Sequence, residues 1–399
     1  MTSFGVGHRR FIDAILSGTS GITTIARFDT ADCRSHTAAA VRDFDASAFI
    51  APLKLRRVDA VGRLALASTR LLLEDGDCVP NAEGRDDMGV ALGTSTAGLD
   101  SLVEYLEGLT DRGPTGVPAI LFSNTVANAA ASLCAIEFGL RGPNVTFNQR
   151  EASSLSAIAF SVGAIRQGRT TAMVTGGAEC LEPTFFKVHD YFRALSPMPN
   201  RDGLEMARPF DRDRNGFILG EGAYMLLVEA SSAAAARGAH VYGEIMGVGA
   251  TASKATVNGW PADANGLIKA MHLAMADAGL RIEDFSAVIG TANGSPELDL
   301  REAEAISGVF PTRSIPVASI KGAIGESGAS GAAGVIAALL SLPDGALVPT
   351  VGLVRPDPAF SLCISGSRQS THGTAFLINS VARGGTNYSL AIRTMAPRA

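Results

Sequence analysis

Charge is scarce in this sequence. Of its 399 residues only 18% are charged, and the formal net charge is −5. A nucleic-acid binder would carry a basic face, so that class is set aside. Cysteine is scarce too: Cys33, Cys78, Cys134, Cys180 and Cys363 lie scattered, with no CxxC spacing. They read as reduced thiols of a cytoplasmic protein rather than a disulfide frame. The opening stretch MTSFGVGHRRFIDAIL is broken by polar and charged residues and does not read as a secretory signal. The longest apolar run, 328–342, is too short and glycine-rich to cross a bilayer, so no membrane association is expected.

Familiar chemical motifs are also missing. No GxSxG elbow occurs. The six histidines, at 8, 36, 189, 240, 272 and 372, show no metal-ligand spacing. His272 falls on an amphipathic helix and reads as packed or solvated, whereas His372, in a loop before a strand, is kept in reserve as a site residue. DRDRNG at 211–216 opens like a calcium loop, but the twelfth position, which needs a bidentate Glu, is Gly222.

What is present is apolar and glycine-rich: 46% hydrophobic residues and 44 glycines. That balance suits a compact protein with buried strands and many tight turns. Apolar spacing with Gly76 as a stop predicts a helix over 57–76. Strands are expected at 88–92, 144–147, 171–176 and 224–229, with a helix at 153–167 between two of them. The pattern then recurs. Strands at 241–249, 286–290, 315–319 and 374–380 alternate with helices at 264–279, 299–308 and 328–341. Such alternation predicts largely parallel sheets covered on both faces. It runs once on each side of residue 238, so two similar α/β halves, 1–238 and 239–399, are expected in one rigid body.

One junction stands out, GPNVTFNQREASSLSAIAF at 142–160. Gly142-Pro143 turns the chain, 144–147 is strand-like, and an apolar helix starts near Ser153. Glu151 sits at the transition and is the last charge before Arg166. Many enzymes place a nucleophile at such a junction.

Several segments together resemble the β-ketoacyl synthases of fatty-acid and polyketide synthesis. RPFDRDRNGFILGEGAYMLLVE at 208–229 is similar to that family's RPFDxxRDGFxxGEGAGxLVLE block. FSNTVANAAAS at 122–132, GLRGPN at 139–144, TGGAE at 175–179, SIKGAIGE at 319–326 and NSVARGGTN at 379–387 follow in the family's order. The resemblance covers essentially the whole chain. It implies a thiolase-like fold, with duplicated α/β halves in a five-layer αβαβα arrangement, and no cofactor or metal. Family members open with a strand ending near VVVTGLG. This chain seen beside them begins after it, so either the true start lies upstream or a neighbouring strand edge is exposed.

Active members of that family use a Cys at a helix N-terminus and two His. The helix dipole lowers the thiol pKa, and backbone N–H groups help bind an oxyanion. By resemblance the Cys position falls on Glu151, the first His on Thr291 (Asn293 in a shifted alignment) and the second His on Glu326. Lys321 matches a family lysine, Ala337 stands where the family has Glu, and Arg383 replaces the Phe of a GFGG turn. A carboxylate is a poor acyl acceptor, and Thr with Glu cannot replace paired imidazoles.

This combination resembles the chain-length-factor, or ketosynthase β, subunits of type II polyketide synthases. That implies a heterodimer with a catalytic ketosynthase α and an acyl tunnel shaped at the interface. It also implies an acyl carrier protein docking mainly on the catalytic partner. The segment 117–128 would lie at the interface, with Phe122 either a tunnel residue or ordinary core packing. Glu151 would pair with Arg383, and Glu326 with Lys321 or solvent. Two alternatives stay open: a stand-alone malonyl-carrier decarboxylase, and a repurposed enzyme using Glu151 and Glu326 as an acid/base pair.

Overall fold

The computed structural model describes residues 1–78, 84–197, 203, 205–311 and 315–395. Its helices relevant here are α1 (His8–Leu16), α2 (Ala60–Asp75), α3 (Leu99–Arg112), α4 (Ala119–Phe122), α5 (Ala129–Phe138), α6 (Ser153–Arg166) and α7 (Pro183–Tyr191). In the second half come α8 (Asn265–Ala278), α9 (Pro296–Val309) and α10 (Ser330–Ser341). The first sheet contains β1 (Met88–Gly93), β2 (Asn144–Phe147), β3 (Ala172–Glu179) and β4 (Gly222–Glu229). The second contains β5 (Gly243–Ala252), β6 (Phe285–Ile289), β7 (Pro316–Ala318), β8 (Cys363–Ile364), β9 (Ala375–Val381) and β10 (Thr386–Thr394).

The sheet orders are β2-β1-β3-β4 and β8-β7-β6-β9-β10-β5. In the first, β2-β1-β3 run parallel and β4 follows antiparallel; in the second, β8-β7-β6-β9 run parallel and β10 follows antiparallel. Most neighbouring pairs are thus parallel, as expected, with antiparallel strands added at one side of each sheet. β10 was not legible in the sequence. Its TNYSLAIRT stretch follows a Gly-Gly turn and alternates only weakly.

Three cores build the layers. On the outer face of the first sheet, α2 and α5 contribute Val61, Leu64, Leu73, Ala130 and Cys134, packed on Val90, Leu92 and Val174. Asp59 caps α2 by accepting from the Gly62 N–H at 2.8 Å, so the helix starts later than its apolar spacing predicts. On the outer face of the second sheet, α8 and α9 pack Leu267, Met271 and Ile306 on Phe285, Val288 and Leu377. Between the sheets, α6 and α10 meet. Leu155, Ile158, Ala332, Ala333 and Val335 are buried there with Tyr224, Ile378 and Leu390. The order helix, sheet, helix, sheet, helix is the expected five-layer arrangement. It covers both faces of the central strands, and β1, β3, β6 and β9 are buried along their whole length.

The central helices start where the strands end, and glycine permits the approach. A Cβ on Gly177 at the end of β3 would sit 2.8 Å from Ala329 Cα and 2.9 Å from Ser154 Cβ. This close packing brings the N-termini of α6 and α10 together at one edge of both sheets, where the site forms.

The calcium-like stretch is structural. Asp211 accepts from the N–H groups of Asp213, Val354 and Arg355, Asp213 pairs with Arg355, and Arg214 pairs with Asp357 at 2.6 Å. Glu221 is bound by Arg27 at 2.6 Å and by the Val41 N–H at 2.7 Å.

Candidate functional site

The chain leaves β2 and makes a single 3-10 turn, Arg150–Ala152, before α6. Arg150 takes a left-handed backbone (φ 51°), uncommon for a residue with a side chain. Ser153 holds the turn, its hydroxyl donating to the Arg150 carbonyl at 2.6 Å and accepting from the Gln149 N–H at 2.9 Å. The turn aims Glu151 inward, where its side chain is 4% exposed.

Arg383 closes on that carboxylate. Its Nε and a terminal nitrogen donate to Glu151 Oε1 at 2.8 and 2.7 Å, and its backbone N–H donates to Oε2 at 3.1 Å. The guanidinium also stacks near the rings of Phe217 and Trp260, with centroids 5.5 and 5.7 Å away. The same terminal nitrogen also donates to His189 Nε2 at 2.7 Å. The His189 Nδ1–H donates to the Phe185 carbonyl at 2.8 Å, which fixes this tautomer. Burial, and then the Arg383 charge, push the His189 pKa down to about 4. The ring is therefore neutral at pH 7 and acts as an acceptor that steers Arg383.

A second network lies beside the first. Glu326 Oε2 accepts from Lys321 Nζ and Asn293 Nδ2, both at 2.7 Å. Its Oε1 accepts from Ser330 Oγ at 2.8 Å and from the Ser327 N–H at 3.1 Å. Lys321 Nζ also donates to Thr291 Oγ1 at 3.2 Å. Thr291 and Asn293 lie just past β6, and buried carboxylates on α9 hold that loop. Glu302 takes the N–H groups of Thr291 and Ala292 at 2.8 and 2.6 Å, while Asp299 takes those of Asn293 and Gly294 at 2.9 and 3.2 Å. Burial raises the Glu326 pKa; the Lys321 charge opposes this and the Glu151 charge adds to it.

Both networks border one cavity of about 960 Å³, lined among others by Arg150, Glu151, His189, Trp260, Glu326 and Arg383. No cysteine lines it, and its single histidine, His189, has both ring nitrogens engaged. Cys180 is buried nearby, and burial raises its pKa well above the usual thiol range.

The structure thus brings Glu151, Thr291, Asn293, Lys321, Glu326 and Arg383 to one place. Ala337 is buried in α10. His372 is exposed and does not line the cavity, which removes it from the site. His272 is exposed on α8. Phe122 is 64% exposed against Tyr105, so its core-packing reading is corrected: α4 is a short surface helix with no buried residue. Sequence reasoning missed His189 and Trp260. Both come from segments far from the elbow in the chain, and no local spacing marks them.

The model of the Beta-ketoacyl synthase, N-terminal domain, matches residues 1–234, and that of the Beta-ketoacyl synthase, C-terminal domain, matches 242–354. This chain belongs to the β-ketoacyl synthase family. It is 31% identical over 398 residues to the 3-oxoacyl-[acyl-carrier-protein] synthase 2 of Synechocystis sp., covering 98% of this chain and 95% of that protein. The corresponding protein of Vibrio cholerae is 31% identical over 389 residues, covering 96% and 94%. Among solved structures, the ishigamide ketosynthase/chain length factor matches with a TM-score of 0.91 and 27% identity, covering 99% of this chain and 97% of the other. A β-ketoacyl synthase from Burkholderia phymatum matches at 0.92 and 27%, with the same coverage. The five-layer arrangement is the thiolase-like fold of this family.

Proposed function

We propose that this β-ketoacyl synthase family member is a non-catalytic, chain-length-factor-like subunit. In this reading it pairs with a catalytic ketosynthase α and shapes the acyl tunnel in type II polyketide or polyene synthesis. One observation carries the reading: the positions that the resemblance matches to the family's Cys and two His, Glu151, Thr291 (or Asn293) and Glu326, lie in closed, mutually satisfied networks. Glu151 has no free nucleophilic role while Arg383 holds both its oxygens. Glu326 accepts four hydrogen bonds, so neither oxygen is free to take a substrate proton. No thiolate and no free imidazole reach the cavity, so acyl transfer and decarboxylation lack their agents.

Surface chemistry supports a partner. β2 is an edge strand, hydrogen-bonded only to β1. Elsewhere on the surface, Leu106, Ile120, Phe122 and Val126 are between 43% and 64% exposed. Large apolar side chains left exposed on α3, α4 and the loop after α4 suit burial by a partner. In this reading Phe122 is buried by the catalytic subunit and contributes to the tunnel wall, and the acyl carrier protein docks mainly on that subunit.

The test is co-expression with an intact ketosynthase, one that has its Cys and two His. The pair should co-purify and extend malonyl-carrier substrates, while the chain alone releases no carbon dioxide and forms no carbon–carbon bond. Condensation by the purified chain alone would overturn the proposal. A second reading, acid/base catalysis by Glu151 and Glu326, draws on their shared cavity and the raised Glu326 pKa. It requires an activity of the isolated chain whose pH profile changes in Glu326→Gln.

A further inference from the structure

We propose that the cavity binds a free amphipathic organic anion, its carboxylate or phosphate head on Arg150 and Arg193 and its flat apolar body against α7 and Trp260. The inference goes beyond the subunit role proposed above and concerns side chains that role does not use. It starts from the charge left over once the ion pairs of the cavity are taken away. Glu151 and Arg383 neutralise each other, Glu326 is matched by Lys321, and Arg301 pairs with Glu304 at 2.8 Å. Two guanidiniums, Arg150 and Arg193, then stand against one carboxylate, Glu297. A chain of net charge −5 thus keeps a locally positive cavity, which draws in anions.

Neither arginine is satisfied within the chain. One terminal nitrogen of Arg150 donates to Asn258 Oδ1 at 3.0 Å, and its other guanidinium nitrogens have no partner among the described residues. The exposed Arg193 guanidinium has none among them. Both residues stand on left-handed backbone, with φ 51° and 56°. Side-chain-bearing residues adopt it rarely and at a cost in local strain. Among the described residues five non-glycines have positive φ, and these two alone line the cavity. The chain therefore accepts strain at the two points where it keeps an unpaired guanidinium beside the cavity. A guanidinium fork matches two oxygens of a carboxylate or of a phosphate.

The apolar wall is also in place. Phe185, Val188 and Phe192 follow one face of α7 and its C-cap, at i, i+3 and i+7, and all three line the cavity. Val188 is 45% and Phe192 65% exposed, so this face is open to a ligand. Trp260, half-buried, lines the same space. Rings along one wall favour a flat body. Charge sets the direction of the ligand. An acid carried inward would meet the Glu151 and Glu326 carboxylates, whose hydrogen bonds are already made, so the head stays with Arg150 and Arg193. A volume of about 960 Å³ is in the range of small-molecule sites.

The test uses the full chain and the fluorescence of Trp260, its one tryptophan, excited where phenyl rings do not absorb. The probes share one body and differ in the head: 4-phenylbutanoate, 4-phenylbutyl phosphate, 4-phenylbutanol and 4-phenylbutylamine. Both anions should bind at least about tenfold more tightly than the alcohol, and the amine no better than the alcohol. The tighter of the two anions names the head, and either supports the proposal. Arg150→Gln and Arg193→Gln should each weaken anion binding about tenfold and leave the alcohol unchanged. Arg193 is exposed, so its variant reads the site even where Arg150→Gln disturbs the turn before α6. Equal binding of acid and alcohol, anion binding indifferent to both variants, or no binding by any probe overturns the proposal. None of these results bears on whether the chain pairs with a ketosynthase, which co-purification reads.

Discussion

Replacing Arg383 by Met would strand the Glu151 carboxylate. The pair is well shielded, the side chains being 12% and 4% exposed. Arg383→Met removes both guanidinium bonds and leaves only the residue-383 N–H on Oε2. Breaking a buried pair from one side costs about 3–5 kcal/mol, because the remaining charge loses its compensation. Loss of the contacts to Phe217 and Trp260 adds roughly 0.5–1 kcal/mol each. Met keeps part of the aliphatic bulk, so the lower end is expected, about 4–5 kcal/mol in total. The double variant Glu151→Leu with Arg383→Met removes both charges together. It should return to within about 1–2 kcal/mol of the parent, since an apolar pair replaces a desolvated ionic one. Urea unfolding followed by the fluorescence of Trp260, the one tryptophan of the chain, reads all four states of the cycle. A loss below about 0.5 kcal/mol for Arg383→Met, or strict additivity in the double variant, would refute the claim that this pair closes the site.

Three further outcomes are expected. The folded chain holds the His189 pKa near 4, below the ordinary value of 6.5. Its stability contribution is therefore complete above pH 6.5 and lost as pH falls towards 4, by about 3 kcal/mol in all. Urea midpoints measured between pH 7 and pH 4.5 should fall less steeply for His189→Gln than for the parent. Phe122→Asp, at a 64% exposed position, should leave the unfolding midpoint of the isolated chain within about 0.5 kcal/mol of the parent yet weaken co-purification with a ketosynthase. Burial pushes the Cys134 pKa up to about 12 and Cys180 well above the usual range, so in the folded state a thiol reagent should label Cys33 and Cys363, the two partly exposed cysteines, and spare those two.

The site was partly legible before any coordinates. Family motifs located Glu151, Thr291, Glu326, Lys321 and Arg383, because an elbow, a strand end and a glycine-rich turn keep local signatures. The pairing of Arg383 with Glu151 followed from those positions. His189 did not, since a single imidazole on PTFFKVHDY is indistinguishable from a packed or solvated one until Arg383 is seen to point at it. Phe122 shows the opposite failure. From sequence it stood open between a tunnel residue and core packing, and only the fold shows that among the described residues it stays exposed.

Alternation of strands with helices, the glycine punctuation and the loss of Cys and His at three motif positions were determined by the sequence alone. These are local properties, carried by residue type and spacing. The direction of β4 and β10 and the meeting of Glu151 with Arg383 across more than two hundred residues were decided only by tertiary structure. Each depends on which elements become neighbours after packing, and side-chain periodicity does not encode that choice.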